Sequence, residues 1–155
     1  MSRSWTTRAR RPGEAEDAYT FVDRESFERE IAEGGFLEWA TILGEYYGTP
    51  MPDQLDGRDL VLEIDIQGAR QVKQRRPDAV CVLVLAPSPE AQEQRLRGRG
   101  DSEEHVARRV ALGREEEAEG RRLASHIICN DDLEEAVGEL AGIVEELRRR
   151  DTTSS

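Results

Sequence analysis

Two arginines and two tyrosines in the first third of the chain have the residue types and spacing of a phosphate-binding site. Arg8 and Arg11 stand three residues apart, and their planar guanidinium groups offer paired donors that suit phosphate oxygens. Tyr19 and Tyr47 can add neutral hydroxyl donors to the same group. A single carboxylate, Glu38, can accept two N–H donors from one edge of a base. Together these residues predict a pocket for a nucleoside monophosphate, although arginines and tyrosines are also common surface residues.

Size and charge limit the classes of partner. The chain has 155 residues, which fits one domain or one core with small inserted lobes. The net charge of −11 argues against a nucleic-acid partner or an anionic membrane surface. It does not argue against a nucleotide, because local arginines can still form a positive pocket in an acidic protein.

The sequence also bears on compartment and metal binding. No run is long and apolar enough for a membrane span, and the N-terminus lacks the apolar segment of a signal peptide. We therefore expect a cytoplasmic protein in which Cys81 and Cys129 stay reduced. His105 and His126 have no partner cluster at the spacing of metal ligands, so no bound transition metal is predicted.

Strand-like and helix-like segments alternate along the chain, as they do in α/β folds with a mostly parallel sheet. Apolar runs predict strands over residues 19–22, 60–66, 79–86 and 125–130, with a hairpin over residues 43–49. Capping residues, terminating glycines and helical periodicity predict helices over residues 23–33, 67–75 and 88–97, and from residues 102 and 132 onward. The segment around the hairpin is expected to form a small mixed lobe.

Asp65 stands near the end of the strand predicted over residues 60–66. An isolated carboxylate inside a buried strand is costly, whereas the ligands of α/β proteins bind beyond the carboxyl ends of the strands. Asp65 is therefore a candidate site residue. The alternative is a structural cap for the helix that follows it.

A glycine-rich turn near residue 100 is surrounded by arginines, namely Arg95, Arg97, Arg99, Arg108 and Arg109. Composition alone favours a solvated helix–turn–helix surface. The alternative is a mobile lid that brings arginines onto phosphates.

Several longer motifs, taken in order, resemble the guanylate kinase family. They are the runs at residues 4–14, 19–22, 36–40, 46–49, 63–68, 95–100 and 130–133. The resemblance covers nearly the whole chain, and it implies one guanylate kinase-like domain over residues 1–155 with a P-loop kinase architecture. Within it, a parallel-sheet core would carry a small mixed α+β GMP-binding lobe over about residues 5–58 and a helical lid over about residues 98–115.

The family transfers the terminal phosphoryl group of ATP to GMP with Mg²⁺, giving GDP and ADP. The residues that the resemblance implies for the GMP phosphate are Ser4, Arg8, Arg11, Tyr19 and Tyr47. It implies that Glu38 and Thr49 bind the guanine edge and that Asp65 contributes at the guanine and toward the metal. The residues implied to act in catalysis are Asp65 and the lid arginines Arg99 and Arg109. The same arginines would bind ATP together with Asn130, which would lie beside the adenine.

The donor-phosphate loop of the family, G-x-x-x-x-G-K-[ST], has no match in this chain. The one lysine, Lys73, has no glycine before it at the right spacing. In the family this loop follows a central first strand, so we expect a core that lacks this strand. Such a core would be marginally stable, rearranged, or associated with itself through unpaired strand edges. We also expect no phosphoryl transfer from the chain as it stands. The predicted cause is a true start roughly 30 residues upstream, one strand–loop–helix unit away.

Three functions stay open at this point. The chain is a guanylate kinase with an incomplete sequence, a non-catalytic relative that binds GMP, or a guanylate-kinase-like module that binds peptides. Glu38, Thr49 and the lid arginines disfavour the third, because a peptide binder needs neither guanine recognition nor a triphosphate lid.

Overall fold

The described residues contain two small sheets, one in each half of the sequence. The computed structural model describes residues 3–52 and 59–153. They fold as two compact units, Met1–Ala79 and Val80–Ser155. Helices and strands are mixed in both, as the predicted α/β class requires. The predicted lobe over about residues 5–58 ends in residues 53–58, which lie outside the described residues, and its boundary stays a prediction.

The first unit is built on a four-stranded sheet with the order β2-β1-β4-β3. Its strands are β1 (Trp5–Thr6), β2 (Thr20–Phe21), β3 (Phe36–Ile42) and β4 (Glu45–Pro50), and its helices are α1 (Arg24–Glu33) and α2 (Ile66–Arg75). Strands β1 and β2 are parallel, whereas β4 is antiparallel to both of its neighbours. Helix α1 begins and ends where the sequence predicts. Asp23 caps it by accepting from Ser26 N at 2.7 Å, and Gly34 ends it at a φ of 72°.

One face of this sheet packs on α1. Successive side chains of a strand point to opposite faces. Phe27 of α1 is 0% exposed and stacks on Phe36 at 4.4 Å and on Tyr46 at 5.1 Å between ring centroids. A Cβ at Gly48 would stand 3.0 Å from both Phe27 and Phe36, so a side chain here would crowd the two rings. The opposite face is left for other contacts.

A β-bulge in β3 sends Phe36 and Glu38 to opposite faces of the sheet. Phe36 pairs with Pro50 and Glu38 with Thr49, so three residues of β3 oppose two of β4 and Leu37 is the extra one. Residues 36 and 38 of a regular strand would share a face. The bulge keeps Phe36 in the aromatic cluster on α1 and turns Glu38 to the other side.

The strand predicted over residues 60–66 is wrong. Residues 59–65 have no regular secondary structure, and α2 begins at Ile66. A strand needs a neighbour to satisfy its N–H and C=O groups, and no strand within the described ranges pairs with this segment. The helix predicted over residues 67–75 is confirmed as α2.

The second unit contains a parallel pair, β5 (Val82–Leu85) and β6 (His126–Cys129), in which Val82 pairs with His126. Its helices are α3 (Pro89–Gly98), α4 (Glu103–Leu123) and α5 (Leu133–Thr153). The predicted N-caps are confirmed, because the side chains of Ser88, Ser102 and Asp132 accept from backbone N–H groups three residues later. Strand β5 is shorter than the predicted run over residues 79–86. In residues 3–52 and 59–153, no helix is both long and apolar enough to cross a membrane.

Candidate functional site

A buried carboxylate and a buried hydroxyl face each other on the side of the first sheet away from α1. Glu38 of β3 pairs with Thr49 of β4, and the two residues are 3% and 1% exposed. Thr49 Oγ1 is buried and makes no hydrogen bond of normal geometry within the described part of the chain. Buried polar atoms are nearly always hydrogen-bonded. Glu38 and Thr49 therefore place two buried polar groups next to each other on this face, and whether they bind a ligand stays a prediction.

The surroundings of Glu38 disfavour its charged form. Burial is the main cause that raises the pKa of the Glu38 carboxyl, and the negative charge of Asp65 adds to the rise. The hydroxyl and the backbone of Thr49 each lower the pKa of Glu38, but by less than burial raises it. A ligand with N–H donors would stabilise the carboxylate that this site leaves under-solvated.

The first turn of α2 packs against the Glu38 carboxylate at Gly68, which has no side chain. A Cβ at Gly68 would stand 2.3 Å from Glu38 Oε2 and 3.0 Å from its Cδ, so only glycine leaves room for the carboxylate. Asp65 is the N-cap of this helix, and its Oδ1 accepts from Gly68 N at 2.9 Å. The capping role that the sequence left open for Asp65 is therefore present, while a role toward a ligand stays a prediction.

Ser4 belongs to the same face by register. Trp5 pairs with Gly48 across β1 and β4, which places Ser4 opposite Thr49. Its main-chain oxygen accepts from Thr20 N at 2.9 Å and joins β1 to β2.

Arg8, Tyr19 and Tyr47 lie close together, and their predicted role at a phosphate stays a prediction. The Arg8 guanidinium carbon lies 5.4 Å from the centre of the Tyr19 ring, and the two tyrosine rings are 6.1 Å apart. Tyr47 contributes to raising the pKa of Arg8, whose main cause is a hydrogen-bonded glutamate. Burial raises the pKa of Tyr19, so its phenol stays protonated and can donate. Tyr47 and Thr49 are two residues apart on β4, so their side chains lie on the same face of the sheet, about 7 Å apart along the strand.

The glutamate that binds Arg8 is Glu14, which ends the run at residues 4–14 but was not predicted as a site residue from the sequence. Arg8 Nη1 and Nη2 donate to its two carboxylate oxygens at 3.0 and 2.8 Å, and Arg11 N donates to Oε2 at 2.9 Å. These bonds lower the pKa of Glu14 to about 2. Pro12-Gly13 was the available signal, because a Pro-Gly pair with the Gly13 φ of 78° is typical of a type II turn. The turn brings the Glu14 carboxylate back to the side chain of Arg8 and the backbone N–H of Arg11.

Replacing Glu14 with glutamine should reduce stability in a way that depends on pH. A carboxyl with a lowered pKa stabilises the fold above its unfolded-state pKa, and this contribution is lost as the pH falls through the folded value. We expect Glu14→Gln to lower the free energy of unfolding by on the order of 1 kcal/mol at about pH 7, and by progressively less toward about pH 2. Urea unfolding across this range measures it. Glu16→Gln is the control, since Glu16 is 91% exposed. A loss that does not change with pH would contradict the prediction.

The predicted donor-side residues all lie in the second unit. Arg99 follows α3, Arg109 lies in α4, and Asn130 follows β6 with its N–H donated to Leu85 O at 2.8 Å. Two helices joined by a short turn at Gly100 form the arginine-rich segment, and α4 continues through residue 115, where the lid was predicted to end. Whether these residues contact a nucleotide stays a prediction.

No group of three histidine, cysteine or acidic residues in the described ranges is placed to hold a metal ion. Asp65 is engaged at the start of α2, where its Oδ2 also accepts from Gln67 Nε2 at 3.1 Å.

Comparison with known proteins decides the family. The sequence model of guanylate kinase matches residues 1–147. The chain is 48% identical over 150 residues to a guanylate kinase of Symbiobacterium thermophilum, covering 93% of this chain and 71% of that protein. It is 46% identical over 149 residues to a guanylate kinase of Carboxydothermus hydrogenoformans, covering 92% and 72%. This chain belongs to the guanylate kinase family.

A solved structure agrees with the assignment to the guanylate kinases. The crystal structure of guanylate kinase from Anaplasma phagocytophilum superposes with a TM-score of 0.73 at 32% identity, covering 94% of this chain and 73% of that one. The family resemblance and the P-loop kinase-like α/β class predicted from the sequence are thereby confirmed. Membership of the guanylate kinases places the chain among the nucleotide-binding transferases.

Proposed function

We propose that the first unit binds GMP as the acceptor of a phosphoryl group from ATP. The observation that carries this proposal is the buried Glu38 carboxylate beside the buried Thr49 hydroxyl, on the face of the sheet away from α1. Guanine offers adjacent N1–H and N2–H donors that one carboxylate can accept together. Adenine lacks this pair, so AMP would not supply the two donors to the buried Glu38 carboxylate, which costs binding free energy relative to GMP.

The phosphate of GMP is assigned to Arg8, Tyr19 and Tyr47, with Ser4 and Arg11 beside them. Glu14 accepts hydrogen bonds from Nη1 and Nη2 of Arg8. The edge of the Arg8 guanidinium formed by Nε and Nη2 faces away from Glu14. A guanidinium held at one end is preorganised for phosphate oxygens at the other. Asp65 is assigned to the guanine side, where its charge already acts on Glu38.

The donor is MgATP, in which the metal ion enters as part of the substrate. Arg99, Arg109 and Asn130 are assigned to it. Lys73 does not serve as a donor-loop lysine, because its Nζ donates to Pro77 O at 2.9 Å and to Ala79 O at 2.8 Å. These 155 residues contain no G-x-x-x-x-G-K-[ST] sequence. GMP binding without turnover is the second candidate function, because every residue assigned to the acceptor lies in the first unit.

Calorimetric titration of the chain with GMP, guanosine and AMP tests the acceptor assignment. We expect GMP to bind most tightly, guanosine to lose the contribution of the phosphate site, and AMP to show no measurable binding. Equal binding of GMP and AMP, or no binding of GMP, would refute it. An ADP-release assay on this chain and on an upstream-extended one then separates the two candidate functions, because only the first allows GMP-dependent turnover by the extended chain.

A further inference from the structure

Side chains of α2 hydrogen-bond the open edge of β3 in the first unit. Strand β3 is an edge of the four-stranded sheet, so its outward N–H and C=O groups need partners. Gln71 meets Trp39 in both directions, with Nε2 donating to Trp39 O at 2.6 Å and Oε1 accepting from Trp39 N at 3.3 Å. An amide paired with the backbone in this way takes the place of a residue on a neighbouring strand.

Two further side chains of the same helix continue this row. Gln67 Nε2 donates to Thr41 O at 3.1 Å, and Arg75 Nη1 donates to Phe36 O at 2.8 Å and also to Leu37 O. With Gln71 these residues are spaced four apart, so they share one face of the helix. Four residues of helix advance about 6 Å, and two residues of strand advance about 6.8 Å. Side chains four apart on α2 can therefore each reach a backbone group about two residues further along β3.

These bonds lie on both sides of Glu38. Arg75 binds the carbonyls of the bulge that precedes Glu38, and Gln71 binds both polar groups of the residue that follows it. The same helix presents its first turn to the carboxylate at Gly68. Helix α2 therefore contacts the backbone that aims Glu38 as well as the carboxylate itself.

We propose that Gln71 and Gly68 are positioning residues for base recognition, because they hold the bulge and the carboxylate of Glu38 in the orientation that faces Thr49. This inference rests on the proposed binding of guanine at Glu38. It adds that base selectivity depends on the docking of α2 on β3, through residues that need not touch the nucleotide.

Gln71→Met tests the hydrogen bonds, because methionine has a similar volume but cannot bond the backbone of Trp39. Gln74→Met is the matched control, since Gln74 is an exposed glutamine one turn along the same helix. The ligands are GMP, inosine monophosphate, whose base lacks the N2 amino group, and ribose 5-phosphate, which has no base. Calorimetry gives the three affinities. Circular dichroism establishes that each variant is folded.

We expect Gln71→Met to weaken GMP binding about tenfold, the factor for about 1.4 kcal/mol, to reduce the preference for GMP over inosine monophosphate, and to leave ribose 5-phosphate unchanged. Gln74→Met should match the wild type. An unchanged base preference, or an equal loss with all three ligands, would overturn the inference while leaving GMP binding by the wild type as the separate test of the proposed function. A wild-type chain that binds no GMP overturns both.

Gly68→Ala provides a second variant in case Gln71→Met does not fold. Alanine is the better helix former, so α2 itself should gain stability. Its Cβ would strike Glu38 Oε2, so the preference for GMP over inosine monophosphate should fall at least fivefold. A Gly68→Ala variant with the base preference of the wild type would overturn the inference.

Discussion

Replacing Glu38 with glutamine should weaken GMP binding about 100-fold without destabilising the fold. The loss follows from the chemistry of the two donors on guanine, since an amide offers one acceptor atom and no charge where the carboxylate offers two oxygens and a charge. Hydrogen bonds to a charged group are worth about 1.5–3 kcal/mol, and each tenfold in affinity is about 1.4 kcal/mol.

The free energy of unfolding of Glu38→Gln should rise or stay constant, although its affinity for GMP falls. Burial raises the pKa of Glu38, so the folded protein holds the proton more tightly than the unfolded chain does. At a pH above the folded pKa the carboxylate therefore subtracts from stability, and a neutral glutamine removes this cost. Glu33→Gln is the matched control, because Glu33 is an exposed glutamate in α1. Calorimetry with GMP and urea unfolding at about pH 7 measure the two effects. Parallel losses of affinity and stability would contradict the prediction.

The affinity for GMP should also fall with acidity in the wild type. Two N–H donors on guanine require an ionised acceptor, so GMP binds the deprotonated form of Glu38 and lowers its pKa on binding. As the pH falls through the raised pKa, an increasing fraction of sites must release a proton before GMP can bind. Affinity measured from about pH 7 to about pH 5 should decline in the wild type more steeply than in Glu38→Gln, which has no proton to release. Equal slopes would contradict this assignment.

Residue types and local rules predicted part of the sheet face that carries Glu38, Tyr47 and Thr49. Tyr47 and Thr49 fall on one side of a predicted strand because side chains alternate, and a turn at Leu43-Gly44 closes the hairpin with positive φ angles of 51° and 89°. The cluster of Arg8 with Tyr19 and Tyr47 follows from the pairing of β1 with its two neighbours. The hairpin follows from a short-range pattern, whereas the pairing of β1 with β4 joins residues as far apart in the sequence as Trp5 and Gly48.

The sheet face to which Glu38 points could not be predicted from the sequence. Regular alternation places Phe36, Glu38 and Ala40 on one face, and only the bulge separates the first from the other two. That bulge is held by Arg75 and Gln71, which lie 39 and 32 residues from the strand residues that they bond. The strand predicted over residues 60–66 failed for a related reason, because an apolar run becomes a strand only where another strand bonds to it. Pairing across the chain, rather than local preference, decided both.

Replacing Arg8 with alanine should weaken GMP binding about 100-fold while changing guanosine binding by less than about threefold, because Arg8 acts on the phosphate and not on the base. Lysine should restore little of the loss: a single ammonium cannot bind both oxygens of Glu14 and still present a planar edge to the phosphate. The control is Arg10→Ala, since the Arg10 side chain is 45% exposed and its ion pair is with an exposed glutamate. Calorimetric titration of the three variants with GMP and guanosine measures the split. If guanosine lost as much affinity as GMP in Arg8→Ala, or if Arg8→Lys bound GMP as tightly as the wild type, the arginine would be holding the fold of the face rather than the phosphate.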